Sequence, residues 1–452
     1  MSAAPGDTIA ALASGAGRAG VGVIRVSGPA VPEIAAALIG ELPAPRRVRV
    51  CGFHDREGIA IDHGVALYFA APASFTGEHV LELQGHGSPV LVDMLLARLL
   101  ELGARLADPG EYSRRTFLND KLSLNEAEAI ADAIDAGSGA AARAAMRSLE
   151  GAFSAEVNAL VEALIELRVY TEGAIDFPDE DDVDFLGDGE IAGRLDALRE
   201  RLRLLIRQAT EGASLREGLR LVILGAPNVG KSSLLNRLAR RDTAIVTDIA
   251  GTTRDVLHEQ LSIDGLPLTL VDTAGLRETQ DPIEAEGVRR AKAELERADR
   301  VLLVVDDAQG IGPEEQALLE DIGTRCAVTI VANKIDLTGA PAGPAELAGR
   351  EAVRVSATAG TGFDALARHL KEAAGLSDDA TPAFMARRRH LDALARASAA
   401  LETGHERLVV DAAGELLAEE LRLAQAALGE ITGTFTSDDL LGAIFSSFCI
   451  GK

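Results

Sequence analysis

The chain has 452 residues, enough for about three domains, and a formal net charge of −25 at pH 7. This acidic balance argues against tight non-specific binding of nucleic acid, since the phosphate backbone attracts basic surfaces. Three widely spaced cysteines without metal-ligand spacing exclude a disulfide framework and a zinc site. An apolar run of about 18 residues and a basic-then-apolar leader are both absent, so the composition predicts a soluble cytoplasmic protein.

The first 120 residues alternate short β-like runs with glycine turns. The runs lie at 20–27, 64–69 and 79–83, and an Ala/Leu-rich helical stretch follows at 90–102. Strands of this length separated by turn residues, together with a helix, are typical of a small α+β domain.

Helical periodicity begins at about residue 121 and returns at residues 386–428. In the first of these segments, apolar residues recur at 4-3-4-3 spacing and predict a packed helix seam: Ile191, Leu195, Leu198, Leu202 and Leu205. Two half-bundles with open apolar stripes would bury each other, which favours one helical domain interrupted by an inserted domain.

The inserted segment carries four motifs in a fixed order. They are GAPNVGKS at Gly225–Ser232, GTTRD at 251–255, DTAG at 272–275 and NKID at 333–336. Phosphate-binding and base-binding motifs in this order indicate a guanine-nucleotide hydrolase.

The first motif follows an apolar run and precedes a helical pattern, which is the strand-turn-helix context that a phosphate loop needs. Gly225 and Gly230 let successive N–H groups converge on the β-phosphate. Lys231 reaches the β- and γ-phosphate oxygens, and the Ser232 hydroxyl ligates Mg²⁺. The alternative is a chance match to the phosphate-loop motif, and the later motifs argue against it.

The later motifs supply the remaining contacts. Asp272 ends an apolar run and can orient the metal shell, while Gly275 can offer its N–H to the γ-phosphate. The Asp336 carboxylate can accept hydrogen bonds from two guanine donors, a pairing that adenine cannot supply. A backbone N–H at Ser356 or Ala357 could meet the guanine carbonyl, although a Ser-Ala pair alone is weak evidence.

A water-positioning residue is missing from its usual place. Many small GTPases have glutamine directly after DTAG, whereas this chain has Leu276, which can neither orient water nor neutralise charge. By residue chemistry alone, the candidates in the following polar stretch are nearly equal: Glu278, Gln280, Asp281, Glu284 and Glu286.

Four further stretches do not belong to GTPases in general. They are GRAGVGVIRVSG at Gly17–Gly28, FTGEHVLELQGHG at Phe75–Gly87, the segment Pro109–Ala136, and the ending FTSDDLLGAIFSSFCIGK. With the nucleotide motifs, they make the whole chain resemble the MnmE (TrmE) family of bacterial tRNA-modification GTPases.

The resemblance implies a multidomain fold. An α+β folate-binding and dimerisation domain is expected at 1–120, and a discontinuous all-α helical domain at 121–215 and 379–452. The second helical part would also carry a C-terminal folate-site motif. An inserted α/β Ras-like P-loop G domain is expected at 216–378.

The resemblance also implies a K⁺-stimulated GTPase that forms a homodimer and a heterotetramer with an FAD-dependent partner, MnmG (GidA). Such a complex adds an aminomethyl or carboxymethylaminomethyl group to carbon 5 of the wobble uridine of certain tRNAs. The carbon comes from methylenetetrahydrofolate. The bound cofactor would be a 5,10-methylene or 5-formyl derivative of tetrahydrofolate, and FAD belongs to the partner. The sequence leaves open which tRNAs are served and whether glycine or ammonium is the co-substrate.

Family motifs assign roles within the nucleotide site. Glu284 would position the attacking water, Thr253 would join Ser232 on Mg²⁺, and Lys231 would be catalytic. Potassium would be held by Asn228, Thr247, Ile249 and Thr252. The expected GTP contacts are Asn228, Val229, Gly230, Lys231, Ser232, Ser233, Thr247, Asp248, Ile249, Ala250, Gly251, Thr252, Thr253, Asp272, Thr273, Ala274, Gly275, Asn333, Lys334, Asp336, Ser356 and Ala357.

For the folate pocket, the matching residues are Arg25, Glu82, Lys121 and Lys452. A pterin edge could donate to Glu82, and the glutamate tail would seek cations. Without the family, each would be an ordinary surface charge. Cys449 could serve the modification chemistry as a catalytic thiol, or it could be a packed thiol with no special reactivity.

One alternative function from a different class stays open. Several GTPases with similar nucleotide motifs act as switches in ribosome assembly by binding alone. Such switches usually carry a basic RNA-binding appendage, and no such segment is visible in this sequence.

Overall fold

The computed structural model describes residues 6–176, 189–241, 258–272, 295, 297–323, 325–376, 382–411, 413–433, 438–446, 448–449 and 451. The chain divides into two compact units. The first contains Met1–Ala131 and Ala426–Lys452, and the second contains Asp132–Gln425. None of the helices in the described ranges is long and apolar enough to cross a membrane.

Six strands form the sheet of the first unit: β1 (Ile9–Leu12), β2 (Ala19–Ser27), β3 (Arg49–His54), β4 (Ala60–Phe69), β5 (Val80–Gly87) and β6 (Arg105–Leu106). Their order across the sheet is β3-β4-β5-β2-β1-β6. Every pair is antiparallel except β1 with β6. The strands predicted near 20–27, 64–69 and 79–83 are therefore confirmed.

Helices α1 (Val31–Ile39) and α2 (Pro89–Glu101) cover one face of this sheet. Leu38 and Leu99 from these helices share a buried cluster with Ile24 and Leu83 from the strands. Side chains alternate between the two faces of a strand, so burying this face leaves the intervening residues on the other one. Two further helices, α3 (Glu111–Leu118) and α4 (Leu124–Ile134), follow in the chain.

The second unit combines long helices with a second sheet. Its helices are α5 (Gly139–Leu149), α6 (Ala152–Asp176), α7 (Glu190–Glu217), α8 (Lys231–Arg241), α9 (Pro313–Ile322), α10 (Ile335–Thr338), α11 (Phe363–Ala373), α12 (Arg388–Asp411) and α13 (Gly414–Thr432). The last of these extends past the boundary of the unit, and α14 (Asp438–Ser446) belongs to the first unit.

Seven strands form the sheet of the second unit: β7 (Leu219–Leu224), β8 (His258–Ile263), β9 (Leu266–Asp272), β10 (Arg300–Asp306), β11 (Ala327–Asn333), β12 (Gly343–Leu347) and β13 (Arg350–Arg354). Their order is β12-β13-β11-β10-β7-β9-β8. The five central strands are parallel, and β8 and β12 pair antiparallel at the edges.

Apolar side chains fill both faces of this second sheet. Leu221 and Ile223 of β7 belong to one buried cluster, while Val222 and Leu224 belong to another. A parallel sheet buried on both faces needs continuous apolar runs, which explains why the sequence around 219–224 lacks alternation. The phosphate-loop motif lies between β7 and α8, so the predicted strand-turn-helix context is confirmed.

Helix α7 carries the predicted seam. Its five seam residues are all at most 5% exposed: Ile191, Leu195, Leu198, Leu202 and Leu205. Helix α7 packs along α12, where Arg199 and Arg203 both pair with Glu402. Helices that precede and follow the nucleotide motifs in sequence thus contact each other. The domain boundaries given above stay predictions.

Candidate nucleotide-binding site

The phosphate loop connects β7 to the N-terminus of α8. Lys231 is the first residue of the helix, and its ammonium group donates to the carbonyl oxygens of Gly225 and Ala226, each at 2.8 Å. Ser232 and Ser233 follow with exposed side chains. Free backbone N–H groups and the helix dipole at such a terminus favour an anion. The loop therefore presents a positioned cation, hydroxyls and N–H donors on one short segment.

Asn333 ties the phosphate loop to the loop that follows β13. Its side chain is 2% exposed, and its Nδ2 donates to the Val229 carbonyl at 2.9 Å. Its Oδ1 accepts from the Ala357 N–H at 3.0 Å. One buried amide thus satisfies backbone groups of two loops, and both would lose a partner if it were removed. The structure brings together three of the predicted motifs at this side chain.

The base-reading side chains lie directly after Asn333. Asp336 is exposed, and its Oδ1 accepts from the hydroxyl of the buried Ser356. The same hydroxyl accepts from the Ala359 N–H at 3.0 Å. This relay orients the Asp336 carboxylate while it faces solvent, where it is able to receive the two donors of a guanine edge.

Lys334 has a partner that the sequence reasoning missed. Its φ is +70°, and its ammonium group donates to Asp306 Oδ2 at 2.9 Å. This hydrogen bond holds the pKa of Asp306 below its ordinary value, so the Asp306 carboxylate is ionised at neutral pH. The sequence did contain a signal for Asp306 as a site residue. It ends the apolar run of β10, next to the phosphate-loop strand, just as Asp272 ends β9.

Replacing Gly230 with alanine is expected to weaken GDP binding roughly 30-fold, about 2 kcal/mol, through backbone strain and the close contact of the new Cβ. Gly230 has a φ of +98°, and a Cβ there would lie 2.3 Å from Asn333 Nδ2. Calorimetry with GDP measures the effect. Gly349→Ala is the matched control, since Gly349 also has a positive φ of +71° but no neighbouring atom within 4 Å. Equal GDP affinities for Gly230→Ala and wild type would contradict the prediction.

Several predicted site residues lie outside the described ranges. These are the loop residues Thr247, Asp248, Ile249, Ala250, Gly251, Thr252 and Thr253, the motif residues Thr273, Ala274 and Gly275, and also Glu284 and Lys452. Asp272 is described by its backbone, which ends β9 and pairs with Ile223 of β7. Its expected position at a strand end is therefore confirmed.

In the first unit, two of the predicted folate residues face each other. Arg25 of β2 lies directly opposite Glu82 of β5, and Arg25 Nε and Nη2 donate to Glu82 Oε1 at 3.0 and 2.9 Å. The Arg25 guanidinium also lies 5.4 Å from the ring centre of Phe75 and 5.7 Å from that of Tyr112. Both charged side chains are about four-fifths buried, so neither is an ordinary surface charge.

Lys121 and Cys449 are both exposed. Lys121 lines a cavity of about 510 Å³ together with Ser123, Glu126 and other residues of the same unit. The Cys449 carbonyl accepts from the Gly110 N–H at 3.3 Å, and Phe448 beside it is buried. Because the Cys449 thiol itself is exposed, the alternative of a packed thiol is not supported.

The mostly parallel sheet, the glycine-rich loop before α8 and the adjoining base-reading segment define a P-loop GTPase. Two family models match the chain: the MnmE helical domain over residues 124–449, and the N-terminus of the GTP-binding protein TrmE over residues 8–121. The chain belongs to the MnmE (TrmE) family, and it is a GTP hydrolase.

Curated relatives cover nearly the whole chain. The tRNA modification GTPase MnmE of Yersinia pseudotuberculosis is 55% identical over 451 residues, which are 99% of each chain. That of Hydrogenovibrio crunogenus is 54% identical over 446 residues, again 99% of each chain. Among solved structures, Era from Aquifex aeolicus bound to GDP and AlF4⁻ is 28% identical, covers 40% of this chain and 66% of its own, and has a TM-score of 0.27.

Proposed function

We propose that this GTPase, with the FAD-dependent partner MnmG (GidA), adds an aminomethyl or carboxymethylaminomethyl group to carbon 5 of the wobble uridine of certain tRNAs. The observation that carries this proposal is the full-length similarity to curated tRNA modification GTPases, at 55% identity over 99% of both chains. Hydrolysis supplies the free energy for a conformational cycle, and a tetrahydrofolate derivative supplies the carbon when bound.

Within the nucleotide site, we assign Lys231 to the β- and γ-phosphates and Asp336 to guanine. The contacts described above support both assignments, because Lys231 is already held on the loop and Asp336 is oriented by Ser356. The exposed hydroxyl of Ser232 suits Mg²⁺, which prefers oxygen ligands. Asn228 is exposed in the loop with a φ of +61°, so its amide oxygen is available for K⁺.

The folate proposal rests on the chemistry of the pair Arg25 and Glu82. A carboxylate can accept hydrogen bonds from the amino-pyrimidine edge of a pterin. Phe75 and Tyr112 add aromatic surface next to this pair. Lys121, exposed beside its cavity, is a cation suited to the glutamate tail. Arg25, Glu82, Lys121 and Lys452 would bind and orient folate, and Cys449 is proposed to act near it.

Homodimerisation is proposed through the sheet of the first unit. On the face opposite α1 and α2, Val23, Val65 and Leu67 are only partly buried. At the edge of the sheet, Val48 just before β3 and Val50 within β3 are 66% and 80% exposed. Apolar surface of this kind usually marks an interface, and a second copy offers the same surface in return. A heterotetramer with MnmG would build on this dimer.

The test is mass spectrometry of wobble-uridine nucleosides in tRNA from cells that lack this chain, with and without its re-expression. The proposal expects the modified uridines to disappear and to return on re-expression. If they persist unchanged in the deleted cells, the modification role fails while the GTPase activity stands. The ribosome-assembly switch then becomes the leading function.

Glu284 is proposed to position the attacking water. Glu284→Ala is expected to keep GTP affinity but to lower turnover by about a hundred-fold or more, the range in which removal of one water-positioning or acid-base group falls. Single-turnover hydrolysis and calorimetry separate the two effects. Glu278→Ala in the same segment is the matched control, and equal turnover of the two variants would refute the assignment.

A further inference from the structure

The hairpin β8–β9 joins the two nucleotide-sensing motifs in sequence. Strand β8 begins three residues after GTTRD, and β9 ends on the first residue of DTAG. Asp264 and Gly265 have φ values of +47° and +90°, and Ile263 pairs with Leu266 across them. This is a two-residue turn with both central residues at positive φ, a stiff connection between strands. The turn lies about 20 Å from the other end of the hairpin, at roughly 3.3 Å per residue.

Ser138 holds the tip of this hairpin. Its hydroxyl donates to the Gly265 carbonyl at 2.6 Å and accepts from the Ala141 N–H at 3.1 Å. Ser138 is the N-cap residue of α5 and is 3% exposed. The Ser138 hydroxyl therefore caps α5 and also binds the turn between β8 and β9.

Backbone contacts make the attachment close. A Cβ on Gly265 would lie 3.1 Å from the Ala140 methyl group, and one on Gly218 would lie 2.6 Å from the Pro267 carbonyl oxygen. The turn thus lies against the start of α5 on one side. Strand β9, just after the turn, lies against the short link between α7 and β7.

Ion pairs hold the end of α4, the helix that precedes Ser138. Asp132, 6% exposed, accepts from Arg216 near the end of α7 and from Arg387 just before α12, each at 2.8 Å. Breaking a buried ion pair of this kind is costly, since it strands a charge. Helix α5 itself packs in a buried cluster with Leu215 near the end of α7, which leads directly into the phosphate-loop strand.

We propose that Ser138 is a positioning residue for GTP hydrolysis, acting through the β8–β9 hairpin. Among the strands that the structure describes, β8 lies at the edge of its sheet, next to β9. A hairpin that is hydrogen-bonded to its sheet through one strand can tilt relative to that sheet. The hydrogen bond from Ser138 to the turn limits this tilt. Since both strands continue into nucleotide motifs, fixing the tip constrains where those motifs begin. This inference concerns the hydrolysis step and does not depend on the tRNA reaction.

The test separates the hydrogen bond from Ser138 to Gly265 from the capping of α5 by the same side chain. Ser138→Asp keeps a capping acceptor for the Ala141 N–H but has no proton to donate to Gly265. Ser138→Thr keeps both functions. Steady-state GTP hydrolysis by the full chain should show a kcat about ten-fold lower for Ser138→Asp, with KM and GDP affinity unchanged. Ser138→Thr should stay within two-fold of wild type.

A second variant tests the proposal without changing the helix cap, in case Ser138→Asp disturbs folding. Ala140→Leu leaves Ser138 in place but crowds the turn, and it should lower kcat in the same direction. Wild-type kcat in both Ser138→Asp and Ala140→Leu would overturn the proposal. So would a parallel loss of GDP affinity and thermal stability that accounts for the lower kcat, because that pattern marks a merely structural role.

Discussion

Asp336→Asn is expected to lower GDP affinity about a thousand-fold, roughly 4 kcal/mol, and to create affinity for xanthosine diphosphate. The carboxylate accepts two guanine donors, and each hydrogen bond to a charged group contributes about 1.5–3 kcal/mol. The amide would turn one of its N–H groups toward a guanine donor. Xanthine has a carbonyl where guanine has its amine, so it accepts from that N–H.

Calorimetry with both nucleotides measures this exchange of specificity. Asp307→Asn is the matched control, because Asp307 lies in the loop next to Asp306 and pairs instead with Arg354 and Thr338. It should leave the ratio of the two affinities unchanged. Unaltered GDP binding by Asp336→Asn would show that this carboxylate does not read the base.

Glu111→Gln is expected to destabilise the first unit by about 3 kcal/mol at neutral pH. Glu111 is 5% exposed, and it accepts from both ends of the Arg105 guanidinium and from Arg115 Nη2. Burial by itself would raise the pKa of Glu111. The hydrogen bonds from Arg105, the Asp108 N–H and Arg115 outweigh burial and lower that pKa to about 2.

The sign of the pH dependence follows from this lowered pKa. In the unfolded chain Glu111 would titrate near 4.5, so its contribution is complete above that pH. The contribution is lost progressively as the pH falls from 4.5 toward 2, since protonation breaks the pairs with Arg105 and Arg115. Glu111→Gln should therefore flatten the acid branch of the stability curve of this unit.

Hydrogen exchange of peptides from residues 6–121 measures the stability of this unit separately, because the two units need not unfold together. Glu101→Gln is the control. Glu101 is an exposed carboxylate that pairs with Arg98, and its replacement should change stability by less than about 0.5 kcal/mol. An acid branch that kept its slope in Glu111→Gln would assign the pH dependence to other carboxylates.

Much of the fold could be predicted from local sequence patterns. The apolar run 219–224 and the leucine stripe of α7 predicted a buried strand and a packed helix, because periodicity and residue type act over a few residues. The motif glycines predicted where the phosphate loop bends. The role of Glu284 came from family resemblance alone, since the polar stretch around it offers several equal carboxylates.

The sequence by itself determined the class of this protein, through motifs whose chemistry depends on residues within a few positions of one another. Only the tertiary structure placed Arg25 against Glu82, Lys334 on Asp306, and Ser138 on Gly265, which is 127 residues away. Such pairs depend on strand register and on which helix end meets which turn. These are set by the packing of whole faces, which no short stretch of sequence encodes.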